Sequence, residues 1–180
     1  WDYVEQYASA EFKDVKPLAF HVHGDGVFHM TNKPLKTAAD LKGLKLRAPT
    51  RTTNKFIALL GGTPVSMPVP QVGDALSKGV IEGAVIPYQV APSLQVHELV
   101  KFATETDPTY PALYTTFFVV AMNKAKYDSL PADLKKVIDN NSGIELAATF
   151  GRAMEEGDKA GLALAQKAGN NLVALDVAET

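Results

Sequence analysis

From Leu44 to Ile86 the chain switches repeatedly between short apolar runs and stretches whose apolar residues recur at helical spacing. Leu44 to Arg47 predicts a strand that ends at Ala48-Pro49. Thr50 to Leu60 carries Phe56, Ile57 and Leu60 at three- and four-residue intervals and stops at Gly61-Gly62, the signature of an amphipathic helix. Thr63 to Met67 is the next strand. Pro70 suits the first turn of a following helix with Val72, Ala75 and Leu76 on one face, and Gly79 suits its left-handed stop. Val80 to Ile86 then reads as a strand broken at Pro87. A β-α-β-α-β succession with short connections is the rhythm of a parallel sheet with crossover helices.

Upstream, Val4 to Lys13 reads as the tail of a helix, and Val15 to Val22 as a buried strand before the turn Gly24-Asp25-Gly26. Thr37 signals the start of a helical turn that Gly43 ends. Downstream, Leu113 to Met122 is rich in Thr, Phe, Val and Tyr and predicts a strand. A long helical stretch opens at Leu130-Pro131 and runs toward Lys167, with Leu134, Val137 and Ile138 on one face. Gly143, Gly151, Gly157 and Gly161 inside it predict a break or bend. Asn171 to Leu175 closes the pattern as a strand.

Composition changes this picture little. The 180 residues are 46% hydrophobic and 21% charged, and 18 Lys and Arg stand against 20 Asp and Glu for a formal charge of -2. No basic patch points to nucleic acid, and no apolar run reaches membrane-spanning length. No charged-then-apolar leader opens the chain. With no Cys, disulfides, thiolate metal sites and Cys nucleophiles are excluded, while the compartment stays open. A start at Trp1 without Met, and an end just after a strand-like run, read as the ends of a cut chain.

Two groups of residues carry candidate chemistry. In His21-Val-His23-Gly-Asp25, two His at i,i+2 would share a strand face, with Asp25 as a third metal ligand and His29 and His97 as further donors. A metal-dependent hydrolase built on His21, His23 and Asp25 is therefore one reading. Yet Gly26 follows where binuclear metallohydrolases continue with His, and neutral hydrogen-bonding His residues near a pocket are the preferred one. No phosphate-binding Gly loop and no nucleophile elbow occurs, and no Ser has a catalytic signature, so an enzyme is not expected. Arg47 is the second candidate. It closes a strand beside a helix start, where open α/β sheets bind ligands, and its forked donors suit a carboxylate. On chemistry alone, a ligand anchor and a structural salt bridge stand level for Arg47.

Three linked motifs break the tie. Asp40-Leu-Lys-Gly43-Leu-Lys-Leu-Arg47-Ala-Pro49, Leu60-Gly-Gly-Thr-Pro64-Val-Ser-Met67-Pro68 and Ala75-Leu-Ser-Lys-Gly79-Val-Ile-Glu82-Gly83 together resemble the solute receptors of tripartite ATP-independent periplasmic (TRAP) transporters, of the DctP-like type. Tyr127-Asp-Ser-Leu130-Pro131 before a long helix adds a fourth match, and the likeness covers essentially the whole chain.

The resemblance implies a two-lobed, periplasmic-binding-protein-like α/β fold, type II-like and incomplete at the N-terminus, with a long helix spanning both lobes. Residues 1–25 and 113–150 would belong to the first lobe, and 26–112 and 151–180 to the second. It also implies a periplasmic, non-catalytic receptor that captures an organic acid without any cofactor and delivers it to TRAP permease subunits. Missing opening β-α units would leave strand edges and apolar surface uncovered.

Arg47 falls on the family's carboxylate-binding Arg. Three positions depart from the acidic-sugar and dicarboxylate pattern: Phe28 stands where a second Arg is common, Ile86 where an Asn contacts ligand, and Val69 where an aromatic follows Met-Pro. Apolar surface has replaced charge and amide, which favours an aromatic or branched 2-oxo or 2-hydroxy monocarboxylate. Thr50, Asn54, His29, Tyr88 and Tyr114 complete the expected pocket; Tyr114 also reads as a core strand residue, and His23 is open between cleft and hinge. An orphan lobe serving only as an interaction module is the third reading.

Overall fold

The computed structural model describes residues 1–110, 112–176 and 178. In chain order the elements are β1 (Val15–Val22), β2 (Val27–Met30), β3 (Lys45–Ala48), α1 (Arg51–Leu59), β4 (Thr63–Ser66), α2 (Val72–Ser77) and β5 (Gly83–Ile86). There follow α3 (Val96–Leu99), β6 (Phe102–Glu105), β7 (Phe117–Asn123), α4 (Lys124–Asp128), α5 (Ala132–Asn140), α6 (Ile144–Lys167) and β8 (Asn171–Ala174). They cluster into two compact units, one of Trp1–His23 with Thr116–Met154, the other of Gly24–Thr115 with Glu155–Thr180.

In the first unit β1 and β7 pair antiparallel, with an irregularity between Pro17 and Ala19 where proline removes a ladder donor. Phe20 gathers the rings of Trp1, Phe12 and Phe117 at centroid distances of 4.8, 5.2 and 5.4 Å. Asp139 on α5 ties to β1 through Lys16 at 2.7 Å and accepts from the Tyr127 hydroxyl.

The second unit holds a six-stranded sheet in the order β4-β3-β5-β2-β6-β8. β3 runs parallel to both β4 and β5, as the alternating rhythm requires, while β2 lies antiparallel to β5 and to β6. Val27 at the start of β2 therefore pairs with Ile86 at the end of β5, so the C-terminal ends of β3, β4 and β5 and the N-terminal end of β2 share one rim. One sheet face buries Phe28, Met30, Leu46 and Val85 with Ile57 of α1; the other buries Ala84 and Ile86 with Val72, Leu76, Val96 and Val100.

Several elements are shorter than the sequence predicts. The strand read from Val80 is confined to Gly83–Ile86, because Val80–Glu82 climb from the α2 turn and only Glu82 N–H reaches the Lys45 carbonyl, at 2.8 Å. The strand read from Leu113 starts at Phe117, and Val4 to Lys13 is an irregular pair of turns over Val4–Ala8 and Ser9–Phe12 instead of one regular helix. The long helical stretch does break, between Asn140 and Ile144, where Gly143 takes φ of +85° and donates to the Leu18 carbonyl at 2.7 Å. Beyond the break α6 runs uninterrupted for 24 residues despite its three further glycines. Gly161 explains one of them: a Cβ there would overlap the Tyr88 carbonyl, so the helix approaches the sheet closely only with glycine at this turn.

Candidate functional site

Arg47 sits in the middle of the rim just described. Its neighbours in β3, Leu46 and Ala48, point into the core, and Arg47 leaves the opposite face, in register with Ala84. It is only 3% exposed. Nε donates to the Met67 carbonyl and Nη1 to the Val85 carbonyl, both at 3.4 Å, which are long for hydrogen bonds. Among the described residues it forms no ion pair. Burial pulls its pKa down from the ordinary arginine value, and the nearby Tyr114 opposes that fall. At this depth the guanidinium keeps its charge but is poorly compensated, which leaves its fork available to an anion.

A cavity of about 550 Å³ opens on this residue, lined also by Thr50, Arg51, Asn54, Ser66 and Val69. Thr50 is the N-cap of α1: its hydroxyl accepts from Thr53 N–H at 3.1 Å, satisfying a donor the helix cannot. Asn54 donates to the Thr50 carbonyl at 2.6 Å and accepts from the Ser66 hydroxyl at 3.1 Å. Both residues line the cavity while holding the α1 start against the end of β4. Val69 is 37% exposed and forms an apolar part of the wall. Ser66 and the Met67 carbonyl were not singled out in the sequence; their signal was their place at the end of a parallel strand next to Arg47.

The remaining candidates lie elsewhere in the second unit. Phe28 alternates onto the other face of the sheet, opposite Val85, and packs with Met30, Leu46 and Phe56 beside a separate apolar cavity of about 170 Å³. The expectation that Phe28 replaces a charge beside Arg47 is corrected on this point: strand alternation sends the two side chains to opposite faces. Ile86 lies on the Arg47 face, 2% exposed and packed among Val72, Leu76 and Val96. Tyr88 donates its hydroxyl to Glu105 at 2.6 Å and lines a third cavity, of about 710 Å³, with Asp25, Glu105 and Asp158. Tyr114 belongs to the loop before β7 and covers the Phe28 cluster.

His29 shares the row of Arg47, one strand beyond Ala84, but is 1% exposed and set edge-on to Tyr88 at 5.4 Å. Desolvation lowers its pKa to about 4, opposed by the Ile86 backbone. It is a neutral core imidazole. Because the unfolded chain binds this proton near pH 6.5 and the folded chain only near 4, stability contributed by His29 is present above pH 6.5 and is lost as pH falls toward 4. Denaturant titrations at pH 7 and pH 4 are expected to show a loss of about 3 kcal/mol from this group, absent in His29→Leu. An unchanged pH dependence in the variant would contradict this.

The hydrolase reading finds no support. His21 stacks between Phe118 and Phe150, each at 5.1 Å, and among the described residues no three His, Asp or Glu side chains gather to hold a metal ion.

Fold and site together define an α/β protein with a carboxylate-compatible Arg at a strand-end rim. Residues 3–179 match DctP, the bacterial extracellular solute-binding protein family 7, and the chain belongs to this family. It is similar, at 52% identity and a TM-score of 0.94, to a TRAP solute-binding protein from Rhodoferax ferrireducens solved with copurified benzoate; the match covers 99% of this chain and 56% of that one. A marine-metagenome TRAP solute-binding protein described as specific for aromatic acid ligands, solved with metahydroxyphenylacetate, gives 44% identity and a TM-score of 0.94 over 99% of this chain and 56% of that one. The 2,3-diketo-L-gulonate-binding periplasmic protein YiaO of Escherichia coli is 33% identical over 132 residues, 73% of this chain and 39% of that protein. The chain thus spans about two fifths of that curated relative and just over half of the structural ones. The fold is that of the two-lobed periplasmic binding proteins. No helix among the described residues is long and apolar enough to cross a membrane.

Proposed function

We propose that this chain is part of a periplasmic receptor that captures an aromatic or branched monocarboxylate reversibly and presents it to a TRAP permease, with no bond chemistry. The observation that carries the proposal is Arg47, buried at 3% exposure on the strand-end rim without an acidic partner among the described residues. A ligand carboxylate supplies the missing charge through two parallel N–H···O bonds, while Val69 on the cavity wall gives the ligand body an apolar setting. Thr50 and Asn54 hold the wall, and the two compact units are read as the two lobes.

The aromatic acids named for the two structural neighbours support the same ligand class. Benzoate tests it. At a hundred times its dissociation constant it should stabilise the protein by about 2.7 kcal/mol, visible as a raised melting temperature. No stabilisation by benzoate, phenylacetate or branched 2-oxo acids would overturn the proposal.

A further inference from the structure

Arg51 lines the same cavity as Arg47 and opens α1, at the first position after the Thr50 cap. Helix electrostatics disfavours a cation there. The unpaired N–H groups of a helix start carry about half a positive charge, so acidic side chains stabilise the first turn and basic ones oppose it. The first turn of α1 holds no acidic residue. Arg51 is exposed, and among the described residues it takes part in no ion pair that would compensate. The helix draws no stability from a positive charge at this position.

The cavity gives the charge a use. Its described lining holds two cations, Arg47 and Arg51, and no Asp or Glu. A concave wall that carries one sign of charge attracts the opposite sign and raises the rate at which an anion arrives. The two arginines divide this work by depth. Arg47 is 3% exposed and meets an anion only after it has entered. Arg51 stands in solvent, where a direct ion pair adds little, but its field reaches outward over a screening length of about 30 Å at 10 mM salt and about 8 Å at physiological salt.

We propose that Arg51 is a steering residue, whose charge speeds capture of the carboxylate that Arg47 then holds. This rests on the carboxylate reading of Arg47. Steering needs a charge and no particular donor geometry, so lysine should substitute for arginine at position 51, although it cannot reproduce the fork at position 47. Association and dissociation rates of 4-fluorobenzoate, read from fluorine NMR exchange at about 10 and about 500 mM salt, test it in wild type, Arg51→Gln and Arg51→Lys.

In Arg51→Gln the association rate should fall about threefold at the low salt and match the wild type at the high salt, with the dissociation rate changed less. Arg51→Lys should keep the wild-type rates. Because Arg51→Gln removes a cation from a helix start, its melting temperature should be unchanged or raised, which separates slower capture from a folding defect. A wild-type association rate in Arg51→Gln at low salt, a loss that persists at high salt, or an equal loss in Arg51→Lys would overturn the proposal while leaving the Arg47 reading intact. Failure of the wild type to bind 4-fluorobenzoate would overturn both.

Discussion

Arg47→Ala is expected to weaken benzoate binding at least a hundredfold, and Arg47→Lys about tenfold. Each hydrogen bond to a charged group contributes about 1.5–3 kcal/mol, and tenfold in affinity is about 1.4 kcal/mol. Alanine removes both prongs of the fork; lysine restores the charge but only as a point, so one of the two bonds is lost. Folding should respond differently. Since Arg47 forms no ion pair among the described residues, Arg47→Met, which keeps the volume and removes a buried charge, should leave stability unchanged or raised. Calorimetry and thermal melting of the three variants separate the two roles, and an Arg47→Ala protein that binds benzoate as tightly as the wild type would refute the assignment.

The second large effect concerns specificity. Aromatic and branched monocarboxylates are expected to bind at least ten times more tightly than succinate or an acidic sugar. A second carboxylate would meet the apolar Val69 wall, where burying a charge without a partner costs several kcal/mol. A phenyl group buried in the same place gains about 1.5–3 kcal/mol. Phe28 drops out of this argument because it lies on the other sheet face, so the variant that tests it is Val69→Arg, on the partly exposed wall of the Arg47 cavity. That substitution should narrow the preference. Succinate displacing benzoate from the wild type at equal concentration would contradict the prediction.

The β3-α1-β4-α2-β5 succession was legible because Gly and Pro punctuate it and each helix shows one apolar face. Arg47 was legible for the same reason, as a cation at the end of a parallel strand. The face of Phe28 was not. β2 is buried on both sides, so its four residues show no polar alternation that could tell which of them accompany Arg47; only the register with β5 decides. Thr50 and Asn54 read as ligand donors because short polar side chains near a strand end serve either purpose, and here both are also engaged in the α1 start and the β4 end. The Tyr114 ring lies against Gly26, a contact across 88 positions of sequence, beyond any local pattern. Tyr114 itself read equally well as a strand residue until the strand proved to start at Phe117.

The most direct measurement is a crystal structure of the protein with benzoate. The carboxylate is expected within hydrogen-bond distance of two guanidinium nitrogens of Arg47, with the phenyl ring against Val69. Benzoate bound in another cavity, such as the one beside Tyr88 and Asp158, with Arg47 untouched, would contradict the assignment of Arg47 as the anchor.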